Sequence, residues 1–259
     1  MENRAQRWTR RSDRTLSATR QERLEGYRAT WQHKPVLRAI YRDYYQSIME
    51  TARPGLVLEI GGGSGNLKEF APRVISTDIL PAPWLDALAD AQALPFRDRT
   101  FDSIVMVDVL HHLETPRRFL REAARVLRPR GRLVVIEPAI TPVSWMAYRF
   151  FHQEPVIMGQ DPLAEVEPDP HRDPYDANSA VPTLLFGRYR QRLAAEFPEL
   201  VVRQVRLLSL LAYPLSGGFK SWSLLPALLV APLLRLERAL EPALGRLMAF
   251  RLLAVVERI

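Results

Sequence analysis

The chain opens on a polar, arginine-rich stretch that gives way to a helical pattern. Residues 1 to about 23 lack regularly spaced apolar positions, which predicts a loose arm or a frayed helix. From Leu24 to Met49, apolar and aromatic side chains recur at helical spacing. Pro35 interrupts this pattern and predicts two shorter helices, because proline lacks a backbone donor. A turn is predicted at Arg53-Pro54-Gly55.

Short apolar runs then alternate with helical segments as far as Pro138. The predicted strands are Leu56–Ile60, Arg73–Asp78, Phe101–Val107 and Arg132–Glu137, with a strand edge and loop at Asp90–Phe96. The predicted helices are Asn66–Ala71, Leu85–Ala89 and Pro116–Leu127, and a turn is predicted at Pro129–Gly131. Strands buried on both faces have continuous apolar runs, and helical crossovers make neighbouring strands parallel. The pattern therefore predicts an α/β fold with a Rossmann-like parallel sheet flanked by helices.

The pattern changes again after Pro138. Residues 152 to 182 are rich in proline and carboxylates, which predicts a long irregular loop, and a helix is predicted over Phe186–Ala195. Between Leu207 and Leu234 the only charged residue is Lys220, but prolines and glycines break the stretch, so it does not read as one transmembrane span. We therefore divide the chain into four parts. These are an N-terminal basic arm with helices (1–53), a Rossmann-like core (54–150), an acidic proline-rich lid loop (151–185), and a region that completes the core and ends in apolar helices (186–259).

Composition narrows the functional classes. The chain of 259 residues has no cysteine, which excludes disulfides and thiolate metal sites. Its formal net charge of +7 comes mainly from arginine, with an excess near the N-terminus. No helix-turn-helix, zinc-ligand spacing or Arg/aromatic strand pattern accompanies this charge, so a nucleic-acid partner is not favoured. The N-terminus lacks the apolar core of a secretory signal, and we expect a cytoplasmic protein.

A glycine-rich loop, Gly61-Gly62-Gly63-Ser64-Gly65, follows the first predicted strand and opens a helix. Glycines are needed where the backbone turns sharply against a ligand, and a helix N-terminus presents unpaired N–H groups to that ligand. Nicotinamide-dinucleotide enzymes place G-x-G-x-x-G at the same point. Here the third glycine is Gly65, and Asn66 occupies the dinucleotide position. Glu59 would repel a pyrophosphate but attract the cationic sulfonium–ammonium end of S-adenosylmethionine.

Carboxylates follow the next predicted strands at positions suited to a nucleoside. Asp78 ends the second strand, about twenty residues after Glu59, where it can accept hydrogen bonds from both ribose hydroxyls. Asp90 and Ala91 end the third strand, where a carboxylate can bind the adenine amino group. Asp108 follows the fourth strand, whose end lies under the cofactor. The spacing therefore predicts one nucleoside-containing cofactor at these strand ends.

Four ordered motifs carry a family resemblance. They are LVLEIGGGSGNLKEF, STDIL, ADAQALPFRDRTFDSIVMVDVLHHL and LREAARVLRPRGRLVVIEP. Together they resemble the class I S-adenosylmethionine methyltransferases, and within them the type 11 small-molecule group that includes ubiquinone and menaquinone methylases. The resemblance covers about residues 54 to 140. It implies S-adenosylmethionine as cofactor, with contacts from Glu59, Gly61, Gly63, Gly65, Asp78, Asp90 and Ala91, and it does not extend to the acceptor.

His111 and His112 are the candidate catalytic residues. A hydroxyl that accepts a methyl group must lose its proton, and imidazole suits a general base. Positioning alone can also accelerate such a transfer, so packing histidines are the alternative. A second cluster, of His152, His171, Asp161, Asp173 and Asp176, could bind a hard metal, but a solvated lid is favoured and no metal is assigned.

The apolar C-terminal quarter has three interpretations. It can close over an apolar acceptor, contact a membrane surface, or form the core of a helical subdomain. Arg235, Arg238, Arg246 and Arg251 could face lipid phosphates, and Trp222 suits a membrane interface. We expect peripheral contact with the inner face of the membrane.

The sequence therefore predicts a methyltransferase that transfers the S-adenosylmethionine methyl group to a small or lipid-linked acceptor, at oxygen. One alternative is a non-catalytic, membrane-associated protein that retains the fold. Another is a nicotinamide-dependent oxidoreductase, which the position of Gly65 and the charge of Glu59 disfavour.

Overall fold

The structure is a computed structural model that describes residues 4–151, 154–167, 169 and 171–259, with side chains from residue 19 onward except that of Phe151. Its helices are α1 (Arg4–His33), α2 (Pro35–Thr51), α3 (Asn66–Phe70), α4 (Pro116–Val126), α5 (Pro142–Phe151), α6 (Val181–Phe186), α7 (Arg190–Glu196), α8 (Ala212–Ser216) and α9 (Ala227–Met248), with a 3-10 turn at Leu110–His112. Its strands are β1 (Val57–Ile60), β2 (Ile75–Asp78), β3 (Ala87–Leu88), β4 (Phe101–Val107), β5 (Leu127–Pro138), β6 (Leu200–Leu208) and β7 (Arg251–Arg258).

The seven strands form one sheet in the order β3-β2-β1-β4-β5-β7-β6. The first five strands pair in parallel, and β7 pairs antiparallel with both β5 and β6. Apolar clusters cover both faces of the sheet, as expected of strands that are apolar at successive positions. The Rossmann-like α/β fold is therefore confirmed, but the sheet is mixed rather than parallel.

The break between α1 and α2 lies where the sequence predicts it. Pro35 is the first residue of α2, a position where the missing N–H leaves no bond unmade. The buried positions of α2 recur every three or four residues, from Val36 to Ile48. Of the two predictions for the N-terminal stretch, a loose arm or a frayed helix, the described residues agree with the helix, because the backbone is already helical from Arg4.

Three other predictions need correction. The predicted helix Leu85–Ala89 contains a short edge strand, β3, because Ala87 and Leu88 pair with the end of β2. The helix predicted at Phe186–Ala195 is two short helices, α6 and α7, separated at Gly187–Tyr189. The predicted C-terminal helical region contains the strand β7, since a short buried apolar run fits a strand as well as a helix.

Candidate active site

The glycine-rich loop joins β1 to α3 at the carboxyl edge of the sheet. Gly61, Gly63 and Gly65 all have positive φ, at 72°, 45° and 77°, which side chains with a Cβ rarely adopt. A Cβ at Gly65 would also lie 2.6 Å from the Trp84 ring. The loop therefore requires glycine for its conformation and, at Gly61 and Gly65, for its packing as well.

Gly63 differs from its neighbours in facing open space. A Cβ built there would meet nothing nearer than the Gly61 carbonyl oxygen at 3.8 Å. The Gly63 amide donates to Asp78 Oδ2 at 2.8 Å, which brings the loop and the end of β2 together. The arrangement leaves room for a ligand that lies directly on the loop backbone beside a carboxylate.

Glu59 is buried at the end of β1, below the loop. Its carboxylate accepts a short hydrogen bond from the Ser76 hydroxyl. Burial raises the pKa of Glu59 to about 7, although the Ser76 hydrogen bond acts in the opposite direction. With this pKa, the Glu59 carboxyl group is about half ionised at neutral pH. A cationic group on a bound ligand would stabilise its ionised form.

Asp78, Asp90 and Ala91 are the residues predicted to bind the nucleoside. Asp78 Oδ1 accepts from the Leu80 amide at 2.9 Å, and burial raises the pKa of Asp78. Asp90 lies two residues beyond β3 and accepts from the Gln92 amide at 2.8 Å. Ala91 is buried in the core below it. The structure thus places these three residues after neighbouring strands, as the sequence predicts.

Asp108 has partners that sequence reasoning missed. It has a φ of 58° just after β4. Tyr41 donates to one carboxylate oxygen at 2.8 Å, and Arg251 pairs with the other. Arg251 is only 3% exposed and lies over the Tyr213 ring. Asp108 therefore balances a buried guanidinium, a role that its place after β4 does not reveal.

His111 is held between two carboxylates. It is 2% exposed, and its Nδ1 lies 2.6 Å from Glu137 Oε2. Glu137 is buried at the end of β5 and also accepts from the amides of Val109 and Leu110. Glu154 Oε2 lies 3.3 Å from the His111 Nε2. Glu137 was missed, although a carboxylate inside an apolar strand was a signal that could have identified it.

The two imidazoles differ in charge. Burial opposes ionisation of His111, but Glu137 and Glu154 outweigh it and raise its pKa to about 10. Burial and the charge of His111 lower the pKa of His112 to about 4. The ring centroids are 4.2 Å apart. At neutral pH the site therefore presents one cationic and one neutral imidazole side by side.

Helix α1 contacts both the glycine loop and the acidic loop. Arg28 donates to the Ser64 carbonyl at 2.5 Å and lies over the Trp84 ring. Arg20 pairs with Asp173 of the acidic loop at 3.2 Å. These contacts join the N-terminal helix, the glycine loop and the lid loop.

The alternative metal cluster in the acidic loop does not assemble among the described residues. Asp161 pairs with Arg192, whereas Asp173 pairs with Arg20. The Asp176 carbonyl faces His112, and His171 is exposed. His152 lies outside the described residues. Asp161 and Asp173 thus form ion pairs that attach this loop to the body of the protein.

Residues 58–135 match the family model described as a methyltransferase domain. This range contains the glycine loop, Asp78, Asp90, Asp108 and the histidine pair. The chain contains a class I S-adenosylmethionine methyltransferase domain. S-adenosylmethionine is the cofactor of such domains, and the open face above Gly63 beside Asp78 fits a nucleoside ligand.

Known relatives align with this domain. A ubiquinone/menaquinone biosynthesis C-methyltransferase of Ruegeria sp. is 32% identical over 123 residues, which cover 38% of this chain and 49% of the relative. A demethylmenaquinone methyltransferase of Thermotoga maritima is 34% identical over 100 residues, covering 32% and 44%. The chain thus spans about half the length of these curated relatives.

The fold as a whole also has a solved counterpart. An S-adenosylmethionine-dependent methyltransferase of Thermotoga maritima superposes with a TM-score of 0.54 at 14% identity, covering 88% of this chain and 93% of the other. This likeness concerns the fold. Among the helices that the structure describes, none combines the length and apolar character needed to cross a bilayer.

Proposed function

We propose that this protein transfers the methyl group of S-adenosylmethionine to a hydroxyl oxygen of a small or lipid-linked acceptor. The observation that carries the proposal is the glycine loop with its open face at Gly63, bonded to Asp78 at the end of the next strand. The methyltransferase domain match supports it.

Each cofactor-binding role falls to a residue at a strand end. Gly61, Gly63 and Gly65 would let the ligand lie on the loop backbone. Asp78 would accept hydrogen bonds from the ribose hydroxyls, and Asp90 with Ala91 would bind the adenine. Glu59 would oppose the positive charge of the cofactor. When bound, S-adenosylmethionine supplies a methyl group on a cationic sulfur.

The acceptor side of the site contains the histidine pair. His111 and His112 follow β4, whose end adjoins the glycine loop. The Val109 side chain packs against Gly61, where an added Cβ would lie 2.2 Å from Val109 Cγ2. His111 is held cationic by Glu137 and Glu154 and cannot accept a further proton, so we assign removal of the acceptor proton to His112, the neutral imidazole of the pair. Asp108, just after β4, would contact the cofactor while its carboxylate pairs with Arg251. Replacing His112 with Ala should preserve cofactor affinity and reduce turnover by about 10²–10⁴.

Calorimetry and a turnover assay test the function. The protein should bind S-adenosylmethionine and S-adenosylhomocysteine but not NAD, whereas binding of NAD alone would support the oxidoreductase alternative. Methyl-tritium transfer should label a product from fractionated lipid or aqueous extracts. Cofactor binding without transfer to any fraction would support the non-catalytic alternative. The labelled atom of the product distinguishes an oxygen acceptor from the carbon acceptors that the names of the relatives indicate.

An exposed apolar surface supports a membrane-borne acceptor. Helix α9 buries Val230, Leu234 and Glu237 on one face, yet Leu228 on another face is 91% exposed. At about 100° per residue, the exposed leucines form one stripe on the side away from the core. Its members are Leu228, Leu229, Leu236, Leu240 and Leu247. Exposed apolar surface of this kind marks an interaction site.

Charge identifies the partner that we propose for this stripe. Its neighbours Arg235 and Arg246 are exposed, while the acids Glu237 and Glu241 turn inward and accept from backbone amides. The outer face of α9 thus presents apolar and cationic groups, which complement an anionic bilayer surface. Phe150 of the neighbouring α5 is 70% exposed.

Flotation with vesicles tests the membrane contact. Wild type should bind vesicles that contain anionic lipid and dissociate as salt rises, because screening shortens the reach of arginine to about 10 Å at 0.1 M. Leu228→Glu and Trp222→Glu should each reduce binding. Val166→Glu, at an exposed apolar residue of the lid loop, is the matched control. Equal flotation of all three variants, or none for wild type, would contradict the contact.

A further inference from the structure

Three side chains converge at the acceptor end of the site. The ligand atoms of His111, His112 and Glu154 all lie within 4.8 Å of one another. The His111 Nε2 is 3.3 Å from Glu154 Oε2, and the His112 Nε2 is 4.0 Å from Glu154 Oε1. Two imidazole nitrogens and a carboxylate therefore face a common point.

The outer partners of both histidines orient them in the same way. Nδ1 of His111 lies 2.6 Å from the Glu137 carboxylate, and Nδ1 of His112 lies 3.4 Å from the Asp176 carbonyl. Each ring thus has an acceptor on its Nδ1 side and directs its Nε2 to Glu154. Histidines that bind metals show this arrangement, in which a carboxylate or carbonyl fixes the ring from behind.

A hydrogen-bonded cluster alone accounts for only part of this geometry. His111 and Glu154 are close enough for a charge-assisted hydrogen bond, but 4.0 Å between His112 and the second Glu154 oxygen is too long for one. In a tetrahedral zinc site with bonds of about 2.0–2.1 Å, ligand atoms lie roughly 3.3 Å apart. A cation between the three groups would use both imidazoles and the carboxylate after a small adjustment of His112.

We propose that His111, His112 and Glu154 bind one divalent cation of the zinc type, which displaces the proton from the His111 Nε2, with Glu137 and Asp176 as their outer partners. Three protein ligands leave a fourth coordination position. If the proposed function is correct, the acceptor oxygen would occupy that position. The histidines would then act as ligands of the cation rather than as proton acceptors. The cation would lower the pKa of the acceptor hydroxyl, so that its proton passes to water.

Zinc titration tests the site without reference to methyl transfer. Full-length protein dialysed against a chelator should bind one equivalent of Zn²⁺ in calorimetry, and Co²⁺ should give the absorption spectrum of a four-coordinate site. His112→Gln and Glu154→Gln should each weaken Zn²⁺ binding at least about 100-fold. Glu137→Gln should weaken it about 10- to 100-fold, as expected for an outer partner. His171→Gln removes an exposed histidine of the lid loop and should change nothing.

The outcomes separate the two proposals. No saturable Zn²⁺ binding by wild type, or equal binding by wild type, His112→Gln and Glu154→Gln, would overturn the metal site. Thermal melts establish that each variant is folded. The side chains of His112 and Glu154 are partly exposed, which favours folding of those two variants. Zinc binding by a protein that does not bind S-adenosylmethionine would overturn the proposed function and leave the metal site standing.

Discussion

Replacing Asp78 with Ala should weaken cofactor binding more than any other single change at the nucleoside side. The carboxylate lies at the end of β2, where its two oxygens accept from the Gly63 and Leu80 amides at 2.8 and 2.9 Å. The variant loses the acceptor for the ribose and also the contact that fixes the glycine loop. Both losses act on the same ligand.

The magnitude follows from the kind of bond that is lost. A hydrogen bond to a charged group contributes about 1.5–3 kcal/mol. At 1.36 kcal/mol per decade, this corresponds to roughly a 10- to 150-fold increase in the dissociation constant. Asp78→Asn keeps one acceptor oxygen without the charge and should lie between Asp78→Ala and wild type.

Calorimetric titration with S-adenosylhomocysteine measures the effect, since this ligand does not react. Asp86→Ala is the matched control, because Asp86 also accepts a backbone amide, that of Ser76, but pairs with Lys68 at the surface. Its affinity should change by at most about fivefold, since surface ion pairs contribute about 0–1 kcal/mol. A folded Asp78→Ala variant with wild-type affinity would show that another group binds the ribose.

Three further predictions concern Glu59, Gly63 and Lys34. Burial raises the pKa of Glu59 to about 7, so S-adenosylmethionine, if it needs this carboxylate ionised, should bind about tenfold more tightly at pH 8 than at pH 6. Calorimetry at both pH values should show a smaller change in affinity for S-adenosylhomocysteine, and also for the Glu59→Gln variant. Gly63→Val should abolish measurable cofactor binding in the same assay, because its Cβ would enter the open space on the loop at a positive φ, and binding at wild-type affinity would place the ligand elsewhere. Lys34→Met should lower the free energy of unfolding by about 2–4 kcal/mol, since the Lys34 ammonium donates to three backbone carbonyls at 2.7–2.8 Å. Denaturant melts measure this loss, and the surface control Lys68→Met should lose at most about 1 kcal/mol.

Local signals account for the parts of the site that the sequence predicted. The apolar run Leu56–Ile60 followed by glycines specifies a strand, a turn and a helix within a dozen residues, and the structure contains all three. Asp78 lies at the same edge of the sheet because it is the last residue of β2, which runs parallel to β1. These features depend on residues close in the chain, so their pattern is readable without the fold.

The C-terminal half shows where such signals fail. The run Arg251–Arg258 is apolar and short, and it lies next to a long helix, so no period separates a strand from a helix there. This run forms strand β7 because it lies between β5 and β6, where its backbone groups pair with both strands. Strand identity at this point is decided by partners about 50 to 120 residues away in sequence.

The sequence by itself determined the fold class, the glycine loop and the carboxylates at the strand ends, because each rests on backbone preferences of neighbouring residues. Only the tertiary structure decided which charged side chains pair with each other. Arg251 meets Asp108 across 143 positions, and His111 meets Glu137 across 26. Burial also raises the pKa of Glu59 and lowers that of His112, whereas the neighbouring carboxylates raise the pKa of His111 against burial. The desolvation of a group depends on everything packed around it, and no local pattern in the chain records that packing.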